Sequence, residues 1–181
     1  MIKLTLIIAC VLGATMTAYA QVAVPPFTSS SSQEKEKFDA LPAGSHTSFV
    51  GFSGAAAFAN LGTGGAMIIN NSVAILPPVS PKHDLFGRGV DVRIDFHQKV
   101  RKQFGGMFRV AKAGVNPTQA KFQFFRGGMP VGVAVVVPVN SAAWKWHGYD
   151  LSKVGGYDEV HITSLGGTLP GYVGMDNLVR R

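Results

Sequence analysis

Apolar and polar residues alternate along several segments of this chain of 181 residues, most clearly between Val90 and His97. Successive side chains of a β-strand point to opposite faces, so this pattern predicts a strand with one buried and one solvated face. The solvated row carries both signs of charge, which predicts cross-strand pairing rather than catalysis. That row is Asp91, Arg93, Asp95, His97 and Lys99, and the same alternation recurs at 104–110, 120–124 and 160–162.

Glycine and proline interrupt these segments every ten to twenty residues, for example at Gly105-Gly106 and Gly127-Gly128, which predicts turns. No window keeps the period of an amphipathic helix. Many short strands without helices between them predict an all-β fold, an antiparallel β-sandwich of jelly-roll type over residues 34–181. Val131 to Val137 is apolar on both faces, which predicts a central strand.

The first twenty residues have the features of a secretory signal peptide. A short positive start precedes an apolar run from Leu4 to Met16, and Ala18-Tyr19-Ala20 is a small-residue cleavage site. An alternative is lipidation at Cys10, within a lipobox-like stretch. Cleavage after Ala20 removes Cys10, the one cysteine, so the mature chain has to be stabilised by its core. The expected location is secreted, periplasmic or at the cell surface, with no transmembrane segment after cleavage.

Residues 21–33 are rich in serine and proline and predict a flexible leader before the domain. The formal net charge of +7 favours acidic partners. Nucleic acid is a poor partner for an exported protein, whereas extracellular polysaccharide or the envelope surface is accessible to it. The five histidines lack metal-ligand spacing, so a zinc site is not expected.

Two motifs, Phe38 to Gly44 (FDALPAG) and Gly171 to Leu178 (GYVGMDNL), resemble the first and last conserved segments of secreted bacterial jelly-roll domains. These domains occur in exosortase-sorted proteins of the PEP-CTERM type, and their fold is similar to that of galactose-binding-like carbohydrate modules. The resemblance implies a jelly roll and carbohydrate binding. The chain ends at Arg180-Arg181 without a sorting signal, so exosortase anchoring is not implied.

Acidic residues on the first and last strands of such carbohydrate modules often hold a structural calcium ion. The resemblance therefore implies Asp39 and Asp176 as metal ligands, with calcium as the one cofactor expected. The alternative is that Asp39 caps a turn and Asp176 bonds backbone N–H groups, because two carboxylates are few for calcium. The alternation of the last strand slips by one residue before Leu178, which predicts a β-bulge at Asp176-Asn177.

One aromatic cluster in the sequence is rich in side chains that carry an N–H or O–H group, and it consists of Trp144, Trp146 and Tyr149. In a strand, Trp144 and Trp146 would point to one face, as in a platform that stacks on sugar rings, although core packing explains the same spacing. Candidate contacts to acidic groups of a ligand are Arg101, Lys102 and Arg109.

Three classes of function remain. The first is a non-catalytic β-sandwich that binds extracellular or cell-surface glycan. The second is a structural envelope or matrix protein without a small ligand. The third is a polysaccharide-degrading enzyme, which is disfavoured because no set of acidic or nucleophilic residues has catalytic spacing.

Overall fold

A computed structural model describes residues 22–23, 34–61, 67–70, 84–88, 91–110, 119–139, 143–165 and 172–181. The predicted signal peptide, including Cys10, lies outside the described residues, as does most of the predicted leader. Among the described residues there are fourteen strands and two 3-10 turns, Phe52–Gly54 and Ser152–Val154. The strands are β1 Val22–Ala23, β2 Glu34–Glu36, β3 Gly44–His46, β4 Ser48–Gly51, β5 Ala56–Asn60, β6 Met67–Asn70, β7 Asp84–Arg88, β8 Asp91–Asp95, β9 Gln103–Val110, β10 Gln119–Arg126, β11 Met129–Pro138, β12 Lys145–Asp150, β13 Glu159–Leu165 and β14 Tyr172–Arg180.

The strands form two antiparallel sheets. The eight-stranded sheet has the order β1-β12-β9-β14-β7-β6-β3, with β2 also paired to β14, and the six-stranded sheet has the order β11-β10-β13-β8-β5-β4. From β7 onward successive strands cross between the sheets, apart from the β10–β11 hairpin. The predicted all-β, antiparallel sandwich is confirmed. Within the described residues, no helix is long and apolar enough to cross a membrane.

The core consists of alternate side chains that face each other across the two sheets. Phe104 and Phe108 project from β9, and Phe122 and Phe124 project from β10 toward them. The ring centroids of Phe108 and Phe122 lie 5.0 Å apart, and those of Phe104 and Phe124 lie 5.9 Å apart. Burying each of these side chains contributes about 1.5–3 kcal/mol. The period-two pattern in the sequence is therefore the pattern of the core.

Strand β11 corrects one prediction. It was expected to be central, but in the described part of the six-stranded sheet it lies at the edge, next to β10 alone. Its outward Val133 and Val136 are exposed. Pro130 and Pro138, near its two ends, lack the N–H groups that a further strand would bind. Valines on both faces of this segment predict a strand buried inside the sheet, but the strand lies at the edge of the sheet.

The predicted β-bulge is confirmed. The register between β14 and β9 shifts between Asp176 and Val179, and Asn177 has a φ of 47°. The extra residue turns Arg180 inward, where its guanidinium lies 4.8 Å from the Phe52 ring and 5.2 Å from the Phe96 ring. Arg180 also donates to the Ala55 carbonyl at 3.0 Å and pairs with Glu34. Burial lowers the pKa of Arg180 from its ordinary value.

The carboxylate of Glu36 joins two turns of unusual backbone geometry. Phe38 and Phe52 have φ values of 62° and 49°, a region that costs an L-residue about 1–2 kcal/mol. The backbone N–H of Phe38 donates to Glu36 Oε1 at 2.7 Å, and that of Phe52 donates to Glu36 Oε2. Both rings are thereby held in the core. The hydrogen bonds to Glu36 therefore offset the backbone strain at Phe38 and Phe52.

Replacing Glu36 with alanine is expected to lower the free energy of unfolding by about 2 kcal/mol or more, because two amide donors lose a charged acceptor. Urea unfolding of the mature protein measures this change. Lys35→Ala, on the exposed face of the same strand, is the control and should shift stability by less than about 0.5 kcal/mol. An equal loss in both variants would show that Glu36 has no special role.

Candidate functional site

The two faces of β12 separate the predicted aromatic cluster. Tyr149 points inward, is 1% exposed, and packs against Phe122 at 5.1 Å and Phe124 at 5.6 Å between ring centroids. Burial raises the pKa of Tyr149 well above its usual range. Trp146 has the opposite parity and faces outward. The structure therefore places Tyr149 in the core, and it does not bring this residue together with the two tryptophans.

Trp146 lies on the outer face of the eight-stranded sheet. It is paired with Met107 of β9, and its indole covers Gly105, where an added Cβ atom would come within 2.6 Å of Trp146 Cζ2. The side chain is half-buried. Gly105 and Gly106 were read as a turn signal, but both lie within β9. Glycine at position 105 serves close packing of an indole on a strand, and the continuing alternation of Phe104, Gly106 and Phe108 was the signal for a strand.

Trp144 stacks with a buried cation on the same face. The Arg109 guanidinium carbon lies 4.2 Å from the centroid of the Trp144 ring, a cation–π contact. Arg109 is 1% exposed, and its strand neighbour on β14 is Gly174, which has no side chain. Trp144 itself is half-buried. We call Met107, Arg109, Trp144 and Trp146 the tryptophan face.

A Gly105→Ala substitution should displace the Trp146 indole and lower the free energy of unfolding by about 1–3 kcal/mol. The same substitution made in a Trp146→Ala background should cost less, because the clashing ring is gone. Chemical denaturation of the four proteins in this cycle measures the coupling. Equal costs in both backgrounds would contradict the contact.

His147 faces inward from β12, with its ring centroid 6.1 Å from that of Phe108. Burial, and secondarily the nearby Lys145 charge, lower the pKa of His147 from its ordinary value of 6.5. Its Nε2 atom is buried and has no hydrogen-bond partner in the described structure. The folded protein therefore favours the neutral imidazole.

Stability should fall as the pH drops below 6.5, because the unfolded chain then binds a proton at His147 that the folded chain resists. His147→Phe, which cannot titrate, should show a smaller loss in Tm between pH 7 and pH 5. His97→Asn, in an exposed turn, is the control and should lose as much as the wild type. A His147→Phe curve parallel to that of the wild type would contradict this assignment.

The predicted basic residues do not form one group. Arg109 lies near the end of β9, whereas Arg101 and Lys102 precede its start, roughly 20 Å away at the rise of a strand. Arg101 forms an isolated bridge with Tyr157, and Lys102 Nζ donates to the Gly155 carbonyl at 2.9 Å. The structure thus brings Arg109 together with Trp144 and leaves Arg101 and Lys102 at the other end of the sandwich.

The two predicted calcium ligands lie on neighbouring parts of the fold, since β2 pairs with β14. Asp176 is completely buried and accepts a 2.6 Å hydrogen bond from the Asn177 backbone N–H. Asp39 lines a cavity of about 320 Å³ with Glu36 and Ser53. No group of three or more His, Cys, Asp or Glu among the described residues is arranged to hold a metal ion. Two carboxylates do not fit calcium, which takes about six to eight oxygen ligands. Melting curves with calcium and with a chelator test the expectation, which stays a prediction.

Arg93 and Asp95 of β8 pair as predicted, but the strand ends at Asp95, and His97 and Lys99 lie in the turn that follows rather than on the predicted strand face. Arg93 bonds Glu159 of β13 at 2.7 Å and Asp95 of its own strand at 2.9 Å. His161 contacts the other oxygen of Glu159 at 2.7 Å. This network lies on the outer face of the six-stranded sheet, where salt and water screen it. It is a cross-strand network in which each carboxylate already has a partner.

No family model matches this chain, and no curated protein matches it. Among solved structures, it is similar to the K2 cleaved adhesin domain of Lys-gingipain, with a TM-score of 0.61 and 11% identity over 84% of this chain and 99% of that one. It also matches the enzymatically active domain of bacteriophage CBA120 tailspike protein 4, with a TM-score of 0.42 and 14% identity over 70% of this chain and 19% of that one. The first likeness shows the fold, a β-sandwich, and no more than the fold.

Proposed function

We propose that this protein is a secreted, non-catalytic β-sandwich that binds extracellular or cell-surface glycan through the tryptophan face. The observation that carries the proposal is the pair of half-buried indoles, Trp144 and Trp146, on one outer face of the sheet. A rigid sheet beneath them keeps the rings in place without a ligand. Ligand binding then costs little ordering of side chains.

The chemistry of an indole suits a sugar ring. The face of a sugar ring that carries C–H groups is apolar and packs on an aromatic surface. Arg109 is too deeply buried to meet a ligand, so its role is to hold Trp144 through the 4.2 Å stack. Gly105 has the corresponding role for Trp146, because it lets the indole lie against the backbone.

The similar gingipain domain is an adhesin domain, which supports a role in surface attachment for this chain too. The predicted signal peptide supports export, and the basic net charge supports an acidic or mixed glycan. A carboxylate pair poised for hydrolysis is missing from the tryptophan face as far as the structure describes it, since Asp176 is buried and bonded to backbone.

A glycan array probed with the mature protein should identify a ligand, and Trp146→Ala should weaken its binding about tenfold or more, equivalent to roughly 1.4 kcal/mol. Phe125→Ala is the matched control. It removes a half-buried aromatic ring from the outer face of the opposite sheet, where the Phe125 ring contacts that of His161 at 4.4 Å between centroids. This control should bind like the wild type. Wild-type protein that binds no glycan, or equal losses in the two folded variants, would overturn the proposal.

The second candidate is a structural envelope or matrix protein, and the edge strand β11 favours it. Met129, Val133 and Val136 are exposed along that edge and could bury apolar area between copies of the chain. Sedimentation of the mature protein over a range of concentrations separates the two candidates. Self-association that Val136→Lys abolishes, in a protein that binds no glycan, would favour the structural role.

A further inference from the structure

Three segments that are distant in the sequence meet around the carbonyl oxygen of Gly155. Lys102 Nζ donates to this oxygen at 2.9 Å, and Arg126 Nη1 donates to the same oxygen at 3.1 Å. Two positive charges are therefore held side by side. The residues come from the start of β9, the end of β10 and the loop after β12, so their proximity arises only in the folded chain.

Backbone hydrogen bonds make this part of the surface rigid. The backbone N–H of Arg101 donates to the Tyr157 carbonyl at 2.6 Å, and the N–H of Tyr157 donates back at 2.9 Å. Lys102 N–H donates to the main-chain oxygen of Arg181 at 2.6 Å, and Leu151 N–H donates to the Lys102 carbonyl at 2.7 Å. The cations thus stand on a fixed base rather than on a free loop.

Carboxylates close to this base are occupied by backbone and side-chain amides. Asp158 is largely buried and accepts from the Gly127 N–H at 2.9 Å. Asp150 accepts from the Ser152 N–H at 2.8 Å and from Gln103 Nε2 at 3.2 Å, and the bonds from Ser152 lower the pKa of Asp150. In the described structure no carboxylate forms an ion pair with Lys102 or Arg126. Arg93, by contrast, pairs with two carboxylates.

Each cation keeps donors for a ligand. The Lys102 ammonium has three N–H groups and uses one of them, and the Arg126 guanidinium has five and uses one. An oxyanion next to Gly155 would relieve the repulsion between the two cations and take up these donors, with the planar guanidinium suited to a bidentate contact.

We propose that Lys102 and Arg126 form an anion site that binds the acidic groups of an acidic polysaccharide. The proposal rests on the proposed glycan function for the class of polymer, but the site lies at the opposite end of the sandwich from the tryptophan face. The recognised chemistry is a sugar carboxylate or sulfate.

The experiment measures binding of the mature protein to polygalacturonate, to heparin and to neutral dextran, at low and at physiological salt. The Lys102→Gln/Arg126→Gln variant should bind the acidic polymers at least tenfold more weakly at low salt, and the remaining binding should depend less on salt. Glutamine can still donate to the Gly155 carbonyl, so the fold should persist, and a thermal melt checks this. The charge-conserving Lys102→Arg/Arg126→Lys variant should lose much less affinity than the glutamine variant, because both positive charges remain.

The matched control is Lys121→Gln/Lys145→Gln, which removes the same charge at other places on the sandwich and should change affinity less than about twofold. Equal losses in the two glutamine variants would overturn the proposal, because net charge alone would then explain binding. Wild-type protein that binds neither acidic polymer, or binds anionic vesicles or single-stranded DNA equally well, would overturn it too.

Trp146→Ala should keep its affinity for polygalacturonate in this assay. Retained binding to the acidic polymers in that variant would support an anion site independent of the tryptophan face, even if no glycan on the array depended on Trp146. Loss of that binding in a folded Trp146→Ala protein would contradict an independent site.

Discussion

Contacts between aromatic rings across the two sheets are the interaction on which the rest of this structure depends. They form a continuous chain from one end of the sandwich to the other, and almost every step joins rings within about 5–6 Å. Its members, in spatial order, are Phe38, Phe58, Phe52, Phe96, Tyr157, Phe104, Phe124, Tyr149, Phe122 and Phe108. With no cysteine among the described residues to cross-link the sheets, this packing holds them together.

Core packing also determines what the outer surfaces present. Because Tyr149 has to face Phe122 and Phe124, strand parity directs Trp146 to the outside, and a slip of one residue would exchange the two side chains. The outward indole in turn needs Gly105 beneath it. The surface proposed to bind glycan is thus a consequence of the register that the core selects.

The two proposed contact areas differ in whether their positive charges are buried or accessible to a ligand. Arg109 is buried under Trp144, where it orients an aromatic ring and has little access to solvent. Lys102 and Arg126 share a single carbonyl acceptor and keep most of their donors. The two areas lie near opposite ends of β9, so each can bind a ligand without the other.

The sequence by itself determined the fold class, the alternating strands β8, β9, β10 and β13 and the bulge before Leu178, because period two is a local property of the chain. It also identified Trp144 and Trp146 as sharing a face. Only the tertiary structure decided that Tyr149 is core, that β11 is an edge and that Arg126 lies beside Lys102. These outcomes depend on which strands become neighbours, and pairing between distant strands is set by how the whole core packs.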